Sequence, residues 1–237
     1  MGKEDLVSSN PLRALGLEKT EEGEERRAGL VMARAGLGKT AILVQIALDS
    51  MLRDNKVLHV SIGEGVDKTR TWYDDILNLM NQENKIEDFQ EIVVDVMQHR
   101  MIMTFMESGF SAAKLEERMA DMAQQNIFKP ACLVIDGFDF AASDSRSSLN
   151  ELKGLMEKND VKMIWFSAVS HRDDTRVSAN GIPAPCHEVD AFFDTVLIIS
   201  PEDNALKLKT LKCSAACSAD AGKSLLLDPA SMLIKKA

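Results

Sequence analysis

One octapeptide constrains this chain more than any other stretch: Ala33-Arg34-Ala35-Gly36-Leu37-Gly38-Lys39-Thr40. A short apolar run, Gly29 to Met32, precedes it, and a strong helix pattern from Ala41 to Leu52 follows. Strand, glycine-containing loop ending in Gly-Lys-Thr, then helix is the layout of a loop that wraps a phosphate in its backbone N–H groups. Gly36 and Gly38 supply the curvature and close approach that wrapping demands. Lys39 is expected to reach the terminal phosphates, and the Thr40 hydroxyl to hold a magnesium ion. The nucleotide-contacting set expected here runs from Ala33 through Ala41. Ala33 departs from the pattern, since GxxxxGK[ST] has its first glycine there. An incidental Gly-Lys-Thr at a helix start is the plain alternative, and the flanking strand and helix argue against it.

The chain beyond the loop is long enough to build a sheet around it. Its 237 residues fit one large domain with a substantial core, and 45% hydrophobic residues can fill it. Residues 1–27 read as a polar amino-terminal segment with a helical turn around Pro11 to Leu17, and residues 28–237 as a single domain. The acidic and basic side chains from Glu18 to Arg27 read as a solvated face. Lys56 to Ile62 reads as a buried strand, turned by Gly63-Glu64-Gly65 into a helix capped by Asp67 and running to about Met80. Asn81 to Asp88 reads as a polar connection, and Ile92 to Val96 as a short strand. A helix from Ser111 places Ala112, Leu115, Met119 and Met122 on one face.

After Pro130 comes an apolar strand that ends in acid, Ala131 to Asp136, then a helix over Ser147–Lys158 and a buried strand over Val161–Ala168. Val169 to Asp190 reads as a long functional or mobile loop. Thr195–Ser200, Ala205–Lys212 and Ser224–Leu227 read as strands, the first two joined by a turn at Pro201–Asn204. Alternating strands and helices followed by a run of strands specify an α/β fold: a mainly parallel sheet finished by antiparallel strands. Ligands on such sheets sit at the carboxyl ends of the strands, where the loop, Glu64, Asp136 and Ala168 all fall. A carboxylate at a buried strand tip beside a phosphate loop is placed to order the magnesium shell, which makes Asp136 the second metal-site candidate with Thr40. Asp139 is the fallback.

Other features exclude or leave open further roles. The formal net charge of −9 does not favour nucleic acid as a partner. No run of about 18 apolar residues suggests a membrane span, and the first ten residues carry neither an apolar signal core nor a myristoylation pattern, so the expected location is cytoplasmic. Cys213 and Cys217, with Cys186 and His187, have a spacing that could chelate metal, yet lack tight knuckles. Cys132 reads as core.

Taken together, ARAGLGKTA, VLHVSIGE, LVIDGFD and WFSAVSHR resemble the RecA-like P-loop NTPase core, in particular the DnaB-type replicative-helicase branch, with KaiC- and RadA-like ATPases as near relatives. The resemblance spans roughly residues 28–228. It implies ATP and Mg2+ as cofactors and a homo-oligomer, a ring or hexamer, as the working state. The helicase branch often begins its loop with Ala-Arg, which accounts for Ala33. It also implies a glutamate after the second core strand that polarises the attacking water; Gly63 stands at that position and Glu64 one residue later. Glu64 reaches the site if the Gly63–Gly65 turn is bulged, and otherwise is a solvated carboxylate. Lys39 and Glu64 are thus the catalytic candidates. The family's phosphate-sensing polar residue falls near Ala168, flanked by Ser167 and Ser170, and its Lys-x-Arg finger falls on Lys212-Cys213-Ser214, which keeps only the lysine.

Three functions follow for testing. The first is an oligomeric, slow, magnesium-dependent ATPase. The second is a nucleotide-binding regulatory or scaffold protein with little turnover, suggested by Gly63, Ala168 and Ser214. The third is a nucleic-acid motor or recombination factor, for which Arg172, Arg176 and the row Lys207, Lys209, Lys212 would have to line a channel.

Overall fold

The computed structural model describes residues 3–8, 10–17, 26–214 and 222–235. Its centre is an eight-stranded sheet in the order β3-β2-β4-β5-β1-β6-β7-β8. The strands are β1 (Arg27–Ala33), β2 (Val57–Ile62), β3 (Arg100–Phe105), β4 (Cys132–Asp136), β5 (Met163–Val169), β6 (Thr195–Glu202), β7 (Ala205–Cys213) and β8 (Ser224–Leu227). Strands β1 to β6 pair in parallel, and β7 and β8 close the sheet antiparallel. The mainly parallel α/β sheet with antiparallel carboxyl-terminal strands is therefore the observed fold.

Period-two alternation splits the core. Val31 and Ala33 of β1, Cys132 and Val134 of β4 and Trp165 of β5 face one helical layer, made of α3 (Lys39–Leu52), α4 (Val66–Asn84) and α5 (Phe89–His99). Their neighbours Leu30, Met32, Leu133, Ile135, Ile164 and Phe166 face the other layer, α6 (Ala112–Gln124) and α7 (Ser145–Lys158). Helix α3 is buried on nearly every side from Ala41 to Leu52, because a second layer lies over it.

That second layer corrects the reading of the amino-terminal segment. Short helices α1 (Lys3–Ser8) and α2 (Pro11–Ala14) pack on α3, and Leu6, Leu12, Leu15 and Leu17 are buried. Arg13 Nε donates to the buried carboxylate of Asp49 on α3 at 3.0 Å, and Asn10 Nδ2 donates to the Gln45 carbonyl at 2.7 Å. The charged stretch from Glu18 to Glu25 lies outside the described residues.

A second correction concerns Ile92 to Val96, which lie within α5 rather than in a strand. Their β-branched composition suggested a strand, but Ile92 and Val96 sit one helical turn apart and are the buried pair. The edge strand is Arg100–Phe105 instead, paired with β2 throughout its length. Helix α4 also runs to Asn84, through the first half of the expected connection, and Gly65 is its N-cap in place of Asp67.

Candidate functional site

The loop after β1 closes over the amino end of α3. Gly36 and Gly38 have φ of 77° and 81°, the left-handed region that costs a side chain about 1–2 kcal/mol. A Cβ on Gly38 would also collide with Met232 Cε. Ala33 is different: it ends β1 in register with Val169 and Ile199, and its methyl group is fully buried on the α3 side. Extended backbone accepts a Cβ, so the missing first glycine leaves the loop intact. Arg34 and Ala35 are exposed on the outer turn, Leu37 packs partly against the core, and Ala41 is buried in α3.

Lys39 and Thr40 open α3 and face the tips of the central strands. Thr40 Oγ1 donates to Asp136 Oδ2 at 2.6 Å, and Ser167 Oγ donates a short hydrogen bond to Asp136 Oδ1. Asp136 thus bridges the loop to β5, and Thr40, Asp136 and Ser167 form one polar chain. Lys39 Nζ donates to the Arg34 carbonyl at 3.4 Å and meets no carboxylate within ion-pair distance among the described residues. Burial pushes its ammonium below the ordinary range, and the charge of Asp136 pushes it back. A half-buried, weakly partnered cation beside outward-facing backbone N–H groups is short of negative charge.

Strand alternation also sorts the neighbouring candidates. Trp165 and Ser167 share the α3 face of β5, so Ala168 faces the α6–α7 layer, where it is buried. Ser167 is the polar group that reaches Asp136; the sequence marked it only as a flank of Ala168. On β2, Val57 faces α3 and Ile62 faces the other layer, which puts Gly63 on the nucleotide side. Glu64 is turned away: its carboxylate accepts from Lys68 Nζ at 2.6 Å, one turn along α4, with 53% of its side chain exposed. The expectation that Glu64 joins the site is corrected accordingly. Gly63 and Glu64 make an ordinary turn into α4, and a helix-surface lysine takes the acid.

Asp139 is spent on its own turn, accepting from the Ala141 N–H at 2.9 Å. Lys212 Nζ donates to the Asp190 carbonyl at 2.7 Å, and Arg176 pairs with Asp174 at 2.6 Å, so both are engaged within the chain. Cys132 and Cys186 are buried free thiols. Cys213 is bonded, and Cys217 lies outside the described residues.

Beside the loop lies a cavity of about 670 Å³ that the sequence did not reveal. Gly36, Gly38, Lys39 and Thr40 form one wall, Trp72 of α4 a second, and Leu206 with Met232 a third. Met232 is fixed there because its carbonyl accepts from the buried Gln45 Nε2 at 2.9 Å. No side-chain rule links residues 72 and 232 to residue 38; the tertiary fold alone brings them together.

No protein-family model and no curated protein matches the sequence. Among solved structures, the ATPase domain of a DnaB-family helicase superposes with a TM-score of 0.63 over 90% of this chain and 85% of that one, at 16% identity. In all, 451 solved chains match, so the architecture is widely shared and does not by itself fix an activity. The likeness shows the fold, a RecA-like P-loop domain. No described helix is long and apolar enough to cross a membrane.

Proposed function

We propose that this chain binds ATP with Mg2+ through residues 33–41 and Asp136, and hydrolyses it slowly within an oligomer. The observation that carries the reading is the chain Thr40–Asp136–Ser167 beside the half-buried Lys39. Its oxygens are hard donors of the kind magnesium takes, and Asp136 is already aligned with the Thr40 hydroxyl. Thr40 and Asp136 would hold the ion, which would neutralise phosphate charge when bound. Lys39 would neutralise the terminal phosphates, and the backbone around Gly36 and Gly38 would cradle the chain of phosphates. The cavity beside the loop offers the indole of Trp72 and the thioether of Met232 to the base and sugar.

Residues 28–237 are proposed as the nucleotide-binding unit, of the DnaB-type branch that the sequence resembles, in a cytoplasmic protein. The solved neighbour of the same fold is an ATPase domain, which supports hydrolysis here. A homo-oligomer, a ring or hexamer, completes the proposal. Arg172, exposed in the loop after β5 and without an ion pair among the described residues, is free to meet a neighbouring subunit.

A nucleotide-binding scaffold with little turnover is the second reading, favoured by Gly63 and by Ala168 facing away. Nucleic acid stays the least supported partner, because Lys207 pairs with Glu202 and Lys212 with its own backbone.

The test is thermal unfolding with ATP and magnesium, alongside phosphate release. ATP at about 100 times its dissociation constant should stabilise the parent by about 2.7 kcal/mol, and Lys39→Ala should abolish the stabilisation and any turnover. Equal stabilisation of both proteins would sink the reading.

A further inference from the structure

We propose that Glu107, in the turn after β3, is the carboxylate that activates water at this site. The proposal rests on the nucleotide-binding reading above. Splitting a phosphoanhydride with water calls for a proton acceptor close to the attacking oxygen, and an unpaired carboxylate is a common one. Glu64 is committed to Lys68, and Asp136 already accepts from Thr40 and Ser167. Glu107 accepts no hydrogen bond and makes no ion pair among the described residues.

Its position is what singles it out. Gly63 ends the β2 segment on the nucleotide side with no side chain of its own. Glu107 fills that space: its Cγ and Oε1 each lie 3.1 Å from where a Cβ on Gly63 would stand. Gly63 has φ of 84°, so a side chain there would be strained as well as crowded.

The backbone beneath Glu107 is pinned. Gly63 N–H donates to the Phe105 carbonyl at 2.9 Å, which extends the β2–β3 ladder one residue past the strand ends. The next residues, Glu107–Gly109, form one 3-10 turn, closed by Gly109 N–H on the Met106 carbonyl at 2.8 Å and held by Lys114 Nζ on the Gly109 carbonyl at 3.0 Å.

Glu107 also faces the right space. It lines a cavity of about 540 Å³ together with Ile62, Gly137, Ser167 and His171. Ser167 in that wall is the residue bonded to Asp136, and Gly137 packs directly on the Ile62 carbonyl. Strands β2 and β4 are neighbours, with Ser61 opposite Asp136. One to two strand spacings, about 5–10 Å, therefore separate the Glu107 carboxylate from Asp136. That gap accommodates a terminal phosphate and one water.

The chemical step is a hydrolysis. A water O–H gives its proton to Glu107 while the water oxygen forms a bond to the terminal phosphorus. The bond from that phosphorus to the bridging oxygen breaks, and its electron pair leaves with ADP. Glu107 then returns the proton to the released phosphate or to solvent.

The full-length protein with Glu107→Gln, Glu107→Asp or Glu64→Gln should be compared for phosphate release from MgATP and for ATP affinity by calorimetry. Glu107→Gln should lose about 100-fold or more of turnover with affinity within about threefold of the parent, as removal of a general base does. Glu107→Asp should keep more turnover than Glu107→Gln, and Glu64→Gln should stay within about twofold of the parent. Turnover of Glu107→Gln near the parental rate, or the large loss appearing in Glu64→Gln instead, overturns the assignment. A parent that binds ATP without hydrolysing it overturns the role of Glu107 and leaves the binding reading standing. A parent that binds no ATP overturns both.

Discussion

The tips of β1, β4 and β5 differ sharply from the tips of β2 and β3, although both belong to one edge of one sheet. At the first, Thr40, Asp136 and Ser167 lock one another, and Lys39 is half-buried beside them. At the second, Gly63 carries no side chain, Glu64 turns to Lys68, and Glu107 lies exposed over the gap. The first group is pre-arranged for an anion and a metal ion. The second holds one unpartnered acid on a turn. Binding and turnover are thus separable, and substitutions on the two sides should fail in different ways.

Acid should strike the β2 side hardest. His59, in the middle of β2, is fully buried; its Nδ1 meets the Tyr73 hydroxyl at 2.9 Å and its Nε2 has no partner. Burial pushes the imidazole down from 6.5 to about 4. The unfolded chain therefore binds the proton first as pH falls. The stability tied to neutral His59 is complete above about 6.5 and is lost toward pH 4, at roughly 3 kcal/mol in total. Denaturant melts from pH 7 to 4 should show this limb in the parent and not in His59→Phe, whatever the variant's absolute stability. Hydrogen exchange should place the loosening in β2 and β3 before β1. An identical acid limb in both proteins would remove His59 as its cause.

On the other side, Asp136→Ala should cost metal-dependent binding most. Loss of a charged acceptor of two hydrogen bonds is worth about 1.5–3 kcal/mol, so ATP affinity in magnesium should fall roughly 10- to 100-fold. Affinity measured in a chelator should change much less. Equal losses with and without magnesium would mean that Asp136 only braces the loop. Ser167→Ala is the smallest change and the finest probe. It removes one hydrogen bond to Asp136, so affinity should drop by about 1 kcal/mol, a few-fold, with kcat affected no more than affinity. A far larger fall in kcat would mean that Ser167 touches the reacting phosphate itself.

Much of the first side is legible in the residues. Gly36 and Gly38 announce positive φ, Lys39 and Thr40 announce phosphate and metal, and an apolar run ending in Asp136 announces a strand tip. Local chain geometry sets all of these. The second side is hidden, because Glu107 meets Gly63 only through the pairing of β2 with β3, and β3 itself was misplaced. The β-branched residues Ile92 to Val96 pointed to a strand by composition, while their burial followed helical spacing. The amino-terminal helices were missed similarly, since charges around Glu18 to Arg27 mask the apolar contacts of Leu6, Leu12, Leu15 and Leu17.

The sequence alone determined the phosphate loop, the α/β sheet and the acid at the end of β4, because each depends on residues adjacent or alternating along the chain. Tertiary structure alone decided which side chains face that loop. Strand parity turned Ser167 inward and Ala168 away, a helix-surface lysine drew off Glu64, and folding carried Trp72, Met232 and Glu107 to the site from distant parts of the chain. Such placements arise from packing between elements, which no local pattern encodes.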